Sequence, residues 1–136
     1  MLKETVIRAF QSKFGSNVKI SPSSKQFAVF DAKHPEVGCV VIEEDGTELL
    51  VTVGNITHSH FGSYDDDLSD REHEAVITDN LIAFLEGLFT DKYLLFKARW
   101  GGGWVPVENV SERKLRSPRR QWFNWSGPVD FRNNPN

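Results

Sequence analysis

The chain has a single cysteine, Cys39, so an intrachain disulfide is excluded. That thiol sits in the apolar run VGCVVI, where an inert, buried side chain in a strand core is expected. No apolar run approaches the roughly 18 residues of a membrane-spanning helix, so no membrane partner is expected. The opening stretch MLKETVIRAFQSKFGS lacks the apolar centre and small-residue cleavage site of a signal peptide, and the cytoplasm is the expected location. No internal repeat or low-complexity tract is present, and nothing in the sequence sets an oligomeric state.

Several catalytic patterns are also missing. Ser59 and Ser63 lie near histidines, but neither sits in a Gly-x-Ser-x-Gly elbow. His73-Glu74 opens HEAVI, without the second histidine that a zinc-protease helix needs four residues later. Gly101, Gly102 and Gly103 are not followed by the Lys-Ser/Thr of a phosphate-binding loop, and they read as the turn of a flexible hairpin. Carboxylates are too abundant to single out a glycosidase pair. These absences argue against an enzyme.

The 136 residues suit a single domain, with 39% hydrophobic and 26% charged residues. A compact body over 1–110 is expected, followed by a basic, aromatic segment over 111–136 that packs on it and frays after Phe131. Leu2, Val6, Phe10 and Phe14, with Ile7 beside them, form one helical stripe that closes at Gly15. SNVKISPSSKQ reads as a short extended piece and a turn. QFAVFDA reads as a strand with Phe27 and Val29 on one face and Ala28 and Phe30 on the other.

VGCVVIEE and TELLVTV flank Asp45-Gly46, which predicts a two-residue type I′ hairpin. That register pairs Ile42 with Leu49, Val40 with Val51, and, unfavourably, Glu43 with Glu48. Ser69-Asp70-Arg71-Glu72 matches a capping box, and Ile77, Leu81, Phe84, Leu85 and Leu88 form the core stripe of the helix that follows. That helix should end near Phe89–Thr90, with Gly87 as a weak point. KYLLFKARW and GGGWVPV complete an α+β fold: a mostly antiparallel sheet of about five strands with two helices on one face.

Charge is divided unevenly. Residues 43–91 carry 13 acidic side chains and one basic, while 111–136 carry six basic and two acidic, within a net charge of −3. Such a division bears on partners and association. Three functional readings follow. The favoured one is a non-enzymatic protein-binding module, in which Glu43, Glu48, Asp65, Asp66 and Asp67 attract a basic partner and the aromatics Tyr64, Trp100 and Trp104 anchor it. Small acidic bacterial inhibitors, immunity proteins among them, share this general composition.

The second reading is a metal-dependent enzyme. No cofactor is expected on composition alone, but His58 and His60, two apart on an extended segment, could hold a divalent metal with Asp65 as third ligand. The third is RNA or single-stranded DNA binding. There Arg113, Arg116, Arg119 and Arg120 would meet phosphates while Trp122 and Trp125 stack on bases, although an overall pI near 5.8 argues against it.

Overall fold

The computed structural model describes residues 2–131. The stripe at the start folds as α1 (Leu2–Phe14), burying Val6, Ile7 and Phe10, and Gly15 ends it in a left-handed conformation (φ 55°). Five antiparallel strands follow in sequence order: β1 (Lys19–Ile20), β2 (Gln26–Phe30), β3 (Val40–Asp45), β4 (Glu48–Val53) and β5 (Thr57–Phe61). The capping box then launches α2 (Asp70–Phe89), with Ser69 Oγ accepting from Glu72 N–H and Glu72 Oε1 accepting from Ser69 N–H.

The rest of the chain adds β6 (Tyr93–Ala98), β7 (Gly101–Pro106), the one-turn α3 (Glu112–Leu115), β8 (Arg120–Asn124) and β9 (Gly127–Val129). These four strands form a second antiparallel sheet in the order β7-β6-β8-β9. The protein is therefore α+β, as expected. The single sheet of about five strands that was expected is divided in two: β2, β3 and β4 lie with β1 and β5 in the first sheet, whose one face carries α1 and α2, while β6 and β7 lie with β8 and β9 in the second.

Period-2 alternation makes the layers. Val40, Ile42, Leu49, Val51 and Val53 point inward and are at most 1% exposed. Phe10 meets Phe30 edge-on at 5.5 Å and Phe61 meets Phe84 at 5.5 Å, so both helices pack on the same sheet face. Thr5 Oγ1 donates to Glu74 Oε1 and ties the helices to each other. Leu95 and Phe123 of the second sheet, with Trp125 in the β8–β9 turn, join the same hydrophobic cluster.

Local details differ from the sequence reading. The β3–β4 loop is Gly46-Thr47, with Asp45 opposite Glu48, Ile42 opposite Val51 and Glu43 opposite Leu50. Gly46 alone takes positive φ (65°), as the first central residue of a type II′ turn does, so the expected Asp-Gly type I′ turn and the Glu43–Glu48 pair do not form. The slip is two residues, so the same side chains still face the core. In β2 a bulge between Gln26 and Ala28 turns both Phe27 and Ala28 inward. Burying a phenyl ring is worth about 1.5–3 kcal/mol, more than the ~1 kcal/mol net of the ladder bond a bulge forgoes.

Cys39 precedes β3 and is exposed rather than buried, because the inward positions are Val40 and Ile42 and their neighbours face out. The glycines lie within β7 and the turn is Arg99-Trp100. At Gly103 the Phe96 ring takes the space of a side chain, and at Gly102 the Ile56 carbonyl does. The C-terminal segment supplies strands, not a cover: β8 is an interior strand of the second sheet. Its lack of alternation has a simple cause, since Trp122 and Phe123 are adjacent and buried on opposite faces. The fraying expected after Phe131 concerns residues 132–136, which lie outside the described residues. Among the described residues no helix is long and apolar enough to cross a membrane.

Candidate functional site

The outward face of the first sheet follows from its register. Leu50 pairs with His60 and Thr52 with His58, so both histidines share the solvent side with Glu43, Asp45 and Glu48. Both are exposed, with ring centroids 6.0 Å apart, and His60 Nδ1 lies 3.8 Å from Asp45 Oδ2. Ile56, just before β5, is buried.

Asp65 does not join the histidines as a ligand. Its Oδ1 accepts the Asp67 N–H at 2.9 Å, an Asx turn that shapes the loop after β5. Asp66 and Asp67 are exposed beside it. Among the described residues no three His, Cys, Asp or Glu side chains gather into a metal-binding group.

Tyr64 is the residue that ties this region together. It is 72% exposed, yet its ring folds back over Gly62 toward Glu48. A Cβ on Gly62 would lie 2.7 Å from Tyr64 Cζ and 3.1 Å from Glu48 Cγ, so glycine is what allows this approach. The hydrogen bond from the Tyr64 hydroxyl to the Glu48 carboxylate is the main cause of a pKa raised above the usual 10.0, with partial desolvation and the Glu48 charge adding to it. The loop and the hairpin tip, distant in sequence, are thus one surface. Glu43 stands at its edge with Lys25 Nζ 3.9 Å away.

The other proposed anchors separate. Trp100 is 89% exposed at the β6–β7 turn, under the Arg99 guanidinium at 5.1 Å. Trp104 is not an exposed anchor. It packs on Phe84 at 4.8 Å and Tyr93 at 4.9 Å, and its Nε1 donates to Ser59 Oγ at 3.4 Å.

The basic segment is rearranged as well. Arg113, Arg116 and Arg119 are exposed, while Arg120 lies over the Phe96 ring at 4.4 Å and the Trp122 ring at 5.9 Å. Trp122 and Trp125 are only 4% and 6% exposed, so they are core residues and offer no open face for a base. Sequence reasoning missed that Lys97 and Arg99 join Arg119 and Arg120. Only the β6–β8 pairing, Lys97 with Gln121 and Ala98 with Arg120, brings them together.

A second missed contact joins Ser63 Oγ to His73 Nδ1 at 2.7 Å. Among the described residues no carboxylate orients the other ring nitrogen, so the pair lacks the third member of a nucleophilic triad and reads as a tie between the loop and α2. No protein-family model, curated protein or solved structure matches the chain, so its function is argued from this geometry.

Proposed function

We propose that the protein is a non-enzymatic, cytoplasmic binding module that captures a basic protein partner on the surface made by the β3–β4 tip and the loop after β5. The observation that carries this reading is the exposed Tyr64, held by Glu48 and flanked by Asp45 and the three aspartates. Holding Asp45 opposite Glu48 is unfavourable in isolation, and a cationic partner would relieve it. The carboxylates would steer encounter, and a tyrosine fixed in place loses little freedom on binding. An inhibitor of a basic protein, as in the immunity-type reading, is the role this chemistry suits.

The test begins with capture of partners on the immobilised protein, followed by association kinetics with the purified partner. The wild type should lose about tenfold in association rate between low and high salt. Combined reversal at Glu48, Asp65, Asp66 and Asp67 to lysine should slow association and abolish that dependence. Tyr64→Ala should mainly speed dissociation, by roughly thirtyfold for a hot-spot loss of about 2 kcal/mol. A charge-reversed protein that binds at the wild-type rate with the wild-type salt dependence refutes the surface.

A further inference from the structure

We propose that a cleft at the β6–β8 end of the second sheet binds a small phosphomonoester whose body carries both hydrogen-bond donors and an acceptor, as a nucleoside monophosphate does. The antiparallel register sets Lys97 beside Gln121 and Ala98 beside Arg120. The Arg99-Trp100 turn and the Pro118-Arg119 approach to β8 then meet at the same end. The result is a hollow of about 240 Å³ whose lining includes Lys97, Arg99, Arg119 and Arg120 and, among the described residues, no carboxylate.

None of these four cations has a carboxylate partner among the described residues. Among the described residues Lys97 Nζ donates only to the neutral Asn55 Oδ1, at 3.3 Å, and Arg120 lies over aromatic rings. Lys97 and Arg120 leave opposite faces of the β6–β8 pair, so the cations ring the end of that pair rather than one face; like charges gathered there repel one another, and a phosphate dianion would relieve that repulsion.

A larger cavity of about 500 Å³ shares Lys97, Arg120 and Gln121 with this hollow and is within the size range of small-molecule sites. Its lining includes Trp122 and Phe131, and also the carboxylates Glu36 and Asp130. Glu36 fixes the ligand's polarity. The phosphate belongs in the cationic hollow, and an uncharged body carrying hydrogen-bond donors belongs beside Glu36. Trp122 Nε1 is buried with no acceptor among the described residues, a state that costs about 1–3 kcal/mol and that a ligand acceptor would satisfy.

The site is independent of the acidic surface. Asn55 lies beyond the end of β4 opposite Glu48, and six strand residues span about 20 Å, more than twice the screening length of about 8 Å in physiological salt. Because Trp122 and Trp125 are in the core, no stacking track leads out of the cleft for a longer strand, which favours a small ligand over a nucleic acid.

The experiment is an amide and indole NMR titration of the ¹⁵N-labelled full chain. The probes are the four ribonucleoside monophosphates, the parent nucleosides, inorganic phosphate and a short single-stranded RNA. At least one monophosphate should shift the Trp122 indole and the amides of 97–99 and 119–121. It should saturate at a concentration at least tenfold below that needed with phosphate or nucleoside alone. Lys97→Gln combined with Arg119→Gln, two positions outside the core, should weaken binding at least tenfold with the thermal midpoint unchanged. An equal response to inorganic phosphate would reduce the site to a free-anion site and overturn the proposal. So would tighter binding of the RNA with shifts reaching Arg113 and Arg116, or no saturation by any monophosphate.

Discussion

Replacing Gly87 with alanine separates helix propensity from packing, because the two predict opposite signs. Gly87 lies two residues before the end of α2, and propensity alone credits Gly→Ala in a helix with up to about 1 kcal/mol. The position is buried, however, and a Cβ there would overlap Tyr93 Cε2 and lie 2.8 Å from Cζ and 2.9 Å from the hydroxyl oxygen. Tyr93 is poorly placed to yield. Its ring is stacked on Phe84 (5.4 Å, 16° between planes) and abuts Trp104 at 4.9 Å.

Overpacking of this kind costs about 1–3 kcal/mol, and disrupting an aromatic pair costs about 0.5–1.5 kcal/mol. The expected balance is a net destabilisation of about 1–2 kcal/mol. Urea unfolding should show it as a lower midpoint with an unchanged slope. In a Tyr93→Ala background the obstruction is gone, and Gly87→Ala should become neutral or stabilising, giving a coupling of at least about 1 kcal/mol. A Gly87→Ala protein as stable as the wild type, with no coupling to Tyr93→Ala, would show that the Tyr93 ring moves aside freely and would refute the packing argument.

Further expectations concern the cap and the titrating groups. Ser69→Ala should cost about 1 kcal/mol through loss of the bond to Glu72 N–H, read as a lower urea midpoint. Hydrogen bonds from the Ser69 backbone and then its side chain lower the Glu72 pKa, so its contribution is present above the ordinary carboxylate value and lost as pH falls through the lowered one; Glu72→Gln should flatten that acid limb of stability. The Tyr64 phenol, raised chiefly by its bond to Glu48, should titrate above 10 in ultraviolet absorbance and move back toward the ordinary value in Glu48→Gln. Its contribution is complete below the unfolded value and is lost as pH rises through the raised one.

Local and short-range signals were legible in the sequence. The α1 stripe, the capping box that starts α2, the alternation through β3 and β4, and the α+β class rest on periodicities and cap chemistry that act within a few residues. The uneven charge, with acids over 43–91 and bases toward the end, was legible for the same reason, since it needs only counting. What the tertiary structure decided is which distant residues meet. The hairpin register was set by a glycine able to take positive φ at the first loop position, and the bulge at Phe27 by the gain from burying one more ring. The C-terminal segment became an interior strand because both faces of β8 are covered, which erased the alternation that marks a strand. Tyr64 reaching Glu48, and Lys97 and Arg99 joining Arg119 and Arg120, depend on contacts between elements far apart in the chain. Those pairings are set by the packed core as a whole, so no short window of sequence contains them.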